Sequence, residues 1–318
     1  MKDLSKRTAV IVLNWNKPEM TVECLESLQT MEGEYDIFIV DNGSDQDKRD
    51  KLISEMKKRN AVVLDEKAIN DFKLDDKDDR LLLLILLDKN YGYAKGNNYG
   101  LRLAHRLGYK YSLISNNDVK IIDKNVLVEL IKGIESDPKY AWAGPRVIEA
   151  DGKVQKPRRR LNLYEFALEN GILYPVLHKR GKTKHQNYEN RGDFREGWPI
   201  GCFILIKNRE GNEVNFFDEK TFLYAEEPIL AEKFLMKNYL FMYVDDVSVF
   251  HNHAQTTDYF FNGSKYKGFI LGLNSNLYYF NKYRGYSRFS CYLTKLSRIF
   301  YFFIYRTIIV FLYKNLRS

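Results

Sequence analysis

The 318 residues carry 50 Lys and Arg against 42 Asp and Glu, with 45% hydrophobic and 14% aromatic residues, enough to bury one large core or two modest ones and to exclude a disordered chain. Three scattered cysteines, Cys24, Cys202 and Cys291, exclude a disulfide framework or a zinc cluster, and with no charged, apolar leader a cytoplasmic, reducing setting is expected. Residues 259–318 hold ten Lys and Arg and no acid, leaving 40 bases against 42 acids before them; a near-neutral body with a cationic tail argues against a nucleic-acid enzyme, whose charge lines its groove.

Thr8-Ala-Val-Ile-Val-Leu13 is an unbroken apolar, β-branched run, the mark of a strand buried on both faces of a parallel sheet, and Asn14-Trp15-Asn16 ends it. Residues 18–30 place Met20, Cys24, Leu25 and Leu28 at helical spacing behind Pro18, which suits a first turn. Tyr35–Val40 predicts a second strand, closed by Asp41-Asn-Gly-Ser44, and residues 45–59 a second helix. Right-handed crossovers then set the loops Asn14–Lys17 and Asp41–Ser44 side by side at one edge of the sheet. Residues 65–80, rich in acids and poor in apolar side chains, predict a solvated loop or hairpin without chemistry. The strand Leu81–Leu87 runs into Asn90-Tyr-Gly-Tyr-Ala-Lys-Gly-Asn-Asn-Tyr-Gly100, a glycine-rich turn opening a helix to about Leu107. It lacks the Gly-Lys-Ser/Thr ending of a Walker loop; small residues here let backbone approach a ligand whose phosphates favour the helix N-terminus.

Tyr109–Ile114 is the next strand, and it stops at Ser115-Asn116-Asn117-Asp118 before resuming at Val119–Ile122. An Asp just past the carboxyl end of a strand either completes a turn or holds a cation and its phosphorylated ligand. Residues 123–135 predict a helix, Ala141–Ile148 a strand and turn, and the polar stretch 178–195 a mobile loop. Gly197–Ile206 reads as a strand behind a Gly/Trp/Pro turn. Glu226 and Glu227 precede Pro228 at a helix start, where carboxylates are stabilised in their ionised form; they complement the helix dipole or act as a base. Val244–Phe250 delivers His251-Asn-His253, whose imidazoles alternate in direction, so one can meet a metal.

The ordered motifs Val-Ile-Val-Leu-Asn-Trp-Asn, Val-Asp-Asn-Gly-Ser, Asn-x-Gly-x-Ala-x-Gly-Asn-Asn-x-Gly and Asn-Asn-Asp resemble the inverting family 2 glycosyltransferases, especially their bacterial rhamnosyltransferase-like branch, over roughly residues 8–255. The resemblance implies an α/β fold of GT-A type, a mostly parallel central sheet flanked by helices over residues 1–256, with 257–318 as a helical extension. It implies a nucleotide-sugar pocket drawn from Asn14, Asn16, Asp41, Asn90, Gly92, Ala94, Asn97, Asn117, Trp198 and Gly201, with Asp41 at the base and Trp198 against a sugar ring. Mg²⁺ or Mn²⁺ would sit on Asp118 and His251, although Asn116 replaces the first acid of the usual Asp-x-Asp motif. Glu227, beside Glu226, matches the general base. The implied donor is a UDP- or dTDP-sugar, rhamnose-like or hexose, and the implied acceptor a hydroxyl of a cell-surface polysaccharide or lipid-linked glycan. A non-catalytic glycan-binding protein on the same fold is one alternative. A nucleotidyltransferase is another, and it would need a Gly-rich, basic phosphate loop directly after the first strand, where Asn14-Trp15-Asn16 stands.

The segment 259–318 holds 19 of the 46 aromatic residues, and no Gly or Pro follows Tyr286, which predicts a long helix. At 100° per residue Arg288, Lys295, Arg298, Arg306, Lys314 and Arg317 share one face, with Leu293, Phe300, Ile304, Ile308 and Phe311 opposite. Past Tyr286 no uncharged run exceeds the seven residues of Ile299–Tyr305, too short to span a bilayer. The helix is expected to lie on the inner face of the cell membrane, its cations toward anionic headgroups, or else to pack on the body or on a second copy of the chain.

Overall fold

A computed structural model describes residues 7–74, 80–168, 192–194, 197–252 and 264–315, the backbone alone at 192–194 and 304–315. An eleven-stranded sheet runs through it. Its strands are β1 (Thr8–Asn14), β2 (Tyr35–Asp41), β3 (Val62–Asp65), β4 (Leu82–Leu86), β5 (Tyr111–Asn116), β6 (Val119–Ile121), β7 (Tyr140–Glu149), β8 (Val154–Gln155), β10 (Gly192–Phe194), β12 (Phe203–Lys207) and β13 (Leu240–His251). A separate two-stranded ribbon joins β9 (Arg158–Arg159) to β11 (Gly197–Trp198). The main order is β10-β13-β7-β12-β5-β1-β2-β4-β3, with β6 on β13 and β8 on β7.

The central strands β5, β1, β2 and β4 are parallel, and β1 and β2 are buried almost end to end. That is why their sequences are continuous rather than alternating: helices cover both faces. On one face lie α1 (Pro18–Leu28), α2 (Gln46–Lys57) and α4 (Val126–Glu135), whose Cys24, Leu25, Leu52, Met56, Leu127 and Leu130 share a cluster with Val10, Val12, Ile37 and Ile39. On the other lie α3 (Gly92–Leu107) and α7 (Glu226–Leu235), whose Leu101, Ala104, Leu230 and Phe234 join Ile11, Phe38, Val40 and Trp142. Each fully buried aliphatic or aromatic side chain contributes roughly 1.5–3 kcal/mol relative to exposure. The short helices α5 (Leu163–Leu168) and α6 (Asn208–Glu213) flank these layers.

In the acidic stretch 65–80 the half-buried Glu66 accepts from Tyr91 Oη at 3.0 Å, from Tyr99 Oη and from the Asp88 amide at 2.9 Å. Val62–Asp65, just before it, is an edge strand parallel to β4 that goes beyond expectation. Four residues with one buried side chain are too short a signal for periodicity to register.

The C-terminal extension is a helical hairpin, α8 (Lys265–Lys282) and α9 (Arg288–Asn315), and α8 was not foreseen. Gly285, with φ +71°, lies between the two helices. Leu273, Leu277, Tyr279 and Phe280 of α8 and Cys291 of α9 pack with Leu163, Phe166, Ala225 and Ile229. Glu232, nearly buried in α7, accepts from Arg160 through Nε and a terminal nitrogen, each at 2.6 Å, and from Tyr279 Oη at 2.9 Å. The hairpin thus shares a core with the body. Among the described residues no helix is long and apolar enough to cross a membrane.

Candidate active site

The carboxyl ends of β1, β2 and β5 meet at one edge: Asn14 pairs with Asp41, and Leu13 with Asn116. The two loops expected side by side are therefore neighbours, and a buried polar relay joins them. Asn14 Nδ2 donates to Asp41 Oδ1 at 2.7 Å, Thr21 Oγ1 donates to Asn14 Oδ1 at 2.8 Å, and Asn117 Nδ2 donates to Thr21 Oγ1 at 3.0 Å. Asp41 also accepts from Arg49 Nε at 3.0 Å and from the Ser44 hydroxyl. Burial makes each of these bonds costly to lose, because an orphaned polar group costs about 1–3 kcal/mol. The relay runs into the β5–β6 turn and sets the position of Asp118, the residue after Asn117.

Asn16, at φ +56°, exchanges hydrogen bonds with Asp45: its Nδ2 donates to the Asp45 carboxylate at 2.9 Å, and its Oδ1 accepts from the Asp45 amide at 2.7 Å. Asn42 ties the second loop to the start of α3: its Nδ2 reaches Asn90 Oδ1 at 3.0 Å and the Gly92 carbonyl at 3.1 Å, and its Oδ1 accepts the Tyr91 amide at 3.0 Å. Gly92 has φ +82°, and a Cβ there would stand 2.2 Å from the Phe222 carbonyl oxygen, so no other residue fits. The next residue, Tyr93, donates its amide to that same carbonyl at 2.9 Å.

Several expected ligand contacts therefore have little surface to offer. Asn14, Asp41, Ala94 and Asn97 have no exposed area, and Asn97 donates back to its own helix at the Tyr93 carbonyl, 3.0 Å away. As arranged, they hold the walls of the site. Asn90 is partly exposed, while Asn16 and Asn117 are buried. Trp198 lies on the ribbon strand β11, its ring centroid 6.4 Å from that of Tyr279 in an edge contact.

At the far end of this edge His251 Nε2 lies 3.2 Å from Asp118 Oδ1, and both side chains are less than a tenth exposed. The register of β13 with β6, His251 opposite Val119, and the Asn252 amide on the Asp118 carbonyl at 3.0 Å bring them together. Among the described residues no group of three His, Cys, Asp or Glu side chains stands ready for a metal. One carboxylate and one imidazole nonetheless suit a divalent cation that takes its other ligands from phosphate oxygens and water. A cavity of about 300 Å³ opens beside Asp118 and is bounded by Lys17, Glu19, Cys24, Lys120 and Asn252; Glu227 is not among its walls. His253 and positions 178–191 and 195 of the expected mobile loop lie outside the described residues.

The second acidic pair arrives on a strained turn. Tyr224 and Ala225 both adopt left-handed backbone, φ +72° and +68°, just before α7, a conformation that costs non-glycine residues about 1–3 kcal/mol and persists only where surroundings enforce it. Here α8 enforces it: Ser275 Oγ donates to the Leu223 carbonyl at 2.8 Å, and Ala225 is buried in the α7–α8 cluster. The turn gives the two acids opposite environments. Glu226 is 4% exposed, with Oε1 lacking a hydrogen-bond donor, and burial, reinforced by the Glu227 charge, pushes its carboxyl up to about 8. Glu227 is half-buried and lies directly against Gly201, where a Cβ would stand 2.0 Å from its Oε1.

Gly201 and Cys202 connect the two acidic centres. The Asn116 amide donates to the Cys202 carbonyl at 2.8 Å, and Tyr93 Oη donates to the Gly201 carbonyl at 2.8 Å. Burial raises the Tyr93 phenol well above its ordinary range, with Glu227 and Glu226 adding to it. The Cys202 thiol is raised likewise by burial, then by Asp118 and Glu227. Both acidic centres thus act electrostatically on the same two residues, and burial leaves Cys202 an inert thiol. Sequence reasoning missed Thr21, Asn42, Arg49 and Tyr93. Asn42 and Tyr93 stand inside quoted motifs, whereas Thr21 and Arg49 look like ordinary helix positions.

Residues 9–224 match the family model described as Glycosyl transferase family 2. Two curated proteins named N-acetylglucosaminyl-diphospho-decaprenol L-rhamnosyltransferase, from Mycobacterium tuberculosis strains CDC 1551 / Oshkosh and ATCC 25618 / H37Rv, are each 25% identical over 122 residues. That match takes in 38% of this chain and spans 40% of their length. A crystal structure of GalNAc-T7 with UDP, GalNAc and Mn²⁺ superposes with a TM-score of 0.53 at 13% identity, over 80% of this chain and 45% of that one, a likeness of fold. The matched model takes in the relay, the α3 turn, the Asp118 turn and Gly201, and the chain belongs to glycosyl transferase family 2.

Proposed function

We propose that the protein is an inverting glycosyltransferase that moves a rhamnose-like or hexose residue from a UDP- or dTDP-sugar to a hydroxyl of a cell-surface polysaccharide or lipid-linked glycan. The observation that carries this reading is the unlike pair at the head of α7: a half-buried Glu227 against Gly201 and a buried Glu226. Burial favours the neutral form of Glu226, and Glu227 is the member of the pair open enough to reach an acceptor.

Glu227 accepts the acceptor's hydroxyl proton as the acceptor oxygen forms its bond to the anomeric carbon. The bond from that carbon to the diphosphate breaks on the opposite face, the electron pair leaves with the diphosphate, and configuration inverts. Asn14, Asp41, Asn42 and Asn90 hold the loops that shape the donor cleft, and Asn16 and Asn117 brace its floor. Asp118 and His251 would hold Mg²⁺ or Mn²⁺, which when bound neutralises charge on the departing diphosphate. The named activity of the mycobacterial relatives supports a rhamnose donor and a lipid-linked acceptor, and the ligands named for GalNAc-T7 support a UDP-type donor with Mn²⁺. The cationic tail supports a peripheral position at the inner membrane face.

Incubating the protein with a panel of UDP-, dTDP- and GDP-sugars, with and without Mn²⁺, tests the reading. Nucleoside diphosphate release from at least one donor, lost in Glu227→Gln, is expected. No release from any donor, with glycan binding retained, would make the protein a glycan-binding member of its family instead.

A further inference from the structure

Helix α9 has two unlike sides. Cys291 and Thr294 are buried, and Arg298 donates to the Phe166 carbonyl at 3.2 Å with its guanidinium carbon 4.8 Å from that ring's centre. This side lies on the body. Arg298, which the helical wheel grouped with headgroup-facing cations, is turned inward.

On the other side Phe289, Tyr292, Leu293, Leu296 and Phe300 are 47–69% exposed and recur at three- and four-residue spacing. At 100° per residue they cover an arc of about 100°, centred opposite Cys291, Thr294 and Arg298, with Arg288 and Lys295 along one flank. Tyr266, 44% exposed at the start of α8, continues the apolar patch by packing against Phe303 at 5.4 Å between centroids. A contiguous apolar patch of this kind marks a contact surface.

Charge selects the occupant. Residues 259–318 contain no acid, so two copies joined stripe to stripe would set cations beside cations without the acidic partners that specify helix pairing. Anionic headgroups neutralise the same cations. We propose that the outer face of α9 is a lipid-surface anchor. Phe289, Leu293, Leu296 and Phe300 sink into the boundary between headgroups and acyl chains, Tyr292, Arg288 and Lys295 sit at headgroup level, and the body stands on the far side of the helix. The proposal deepens, and rests on, the peripheral membrane placement proposed above. It also relates the anchor to the chemistry: α8 packs both on α9 and on the turn carrying Glu226 and Glu227, so lipid contact and base belong to one packed unit.

Flotation of the full chain with vesicles of phosphatidylcholine containing phosphatidylglycerol, against phosphatidylcholine alone, decides it. Binding to the anionic vesicles is expected, falling as salt screens the headgroups. The triple variant Phe289→Ser, Leu293→Ser, Phe300→Ser should bind about tenfold or more weakly, while Arg298→Gln keeps its lipid affinity within about twofold, since that side chain faces the body. Absence of the full chain from the anionic vesicle fraction at low salt overturns the anchor, as does equal flotation by the triple variant. A dimer in light scattering that the triple variant dissolves would make the stripe a seam between copies and likewise overturn it. Donor hydrolysis measured on the same samples separates the two readings: lipid binding without hydrolysis of any donor leaves the anchor standing and removes the transferase reading.

Discussion

Replacing Gly201 by alanine tests the architecture of the base without touching a titratable group. The new Cβ would stand 2.0 Å from Glu227 Oε1 and 2.8 Å from its Cδ, where ordinary contact begins at 3.4 Å, so the carboxylate must retreat by about 1.4 Å. Glu227 is half-buried and its side chain flexible, so it can swing outward and the fold should survive with a loss of no more than roughly 1–3 kcal/mol. Catalysis should not survive so well, since a misplacement of about 1 Å costs on the order of 10²-fold in rate. The assay is kcat for transfer to a glycan acceptor, alongside nucleotide affinity by calorimetry and a thermal melt. A fall in kcat of roughly 10²-fold with donor affinity within twofold of wild type is expected. Gly201→Ala turning over within twofold of wild type while folded would refute the placement of Glu227 as base; lost donor affinity with kcat retained would mean that Gly201 borders the donor rather than the base.

Glu227→Gln should lower kcat by ~10²–10⁴ with donor affinity near wild type, and Glu226→Gln by less; the reverse order in steady-state kinetics would make Glu226 the base. Glu226 also predicts a pH effect on stability. Its carboxyl, raised from an ordinary 4.5 to about 8, is neutral in the fold while the unfolded chain ionises, so its stabilisation is complete below 4.5 and is lost as pH rises to about 8. Glu226→Gln, neutral at every pH, should therefore melt above wild type at pH 8, by on the order of a few kcal/mol, and the two should converge toward pH 5. Asp118→Asn should nearly abolish turnover and remove the Mn²⁺ dependence of nucleotide binding seen by calorimetry, because no other carboxylate on its turn can replace it. Ser275→Ala deletes the bond to the Leu223 carbonyl; a loss of about 1 kcal/mol in denaturant titration should accompany a lower kcat at unchanged donor affinity, as the turn before Glu226 relaxes.

The amino-acid order alone determined the βα repeats, the edge at which Asn14, Asp41 and Asp118 converge, and the family. These rest on local signals: β-branched runs that only a doubly covered strand tolerates, and polar or glycine residues that stop them at fixed points. What needed tertiary structure was everything decided by a partner distant in sequence. Asp41 looks like a free acid after a strand, yet Arg49 and Asn14 enclose it. Glu226 and Glu227 are adjacent and chemically identical in the chain; a left-handed Tyr224–Ala225 turn, braced by a helix about fifty residues on, buries one and leaves the other open against Gly201. A helical wheel could sort α9 into faces but could not say which face the body occupies, because that depends on Phe166 and Arg298 meeting across 132 residues of chain. Periodicity records which side chains share a side; only packing decides which side is turned away from water.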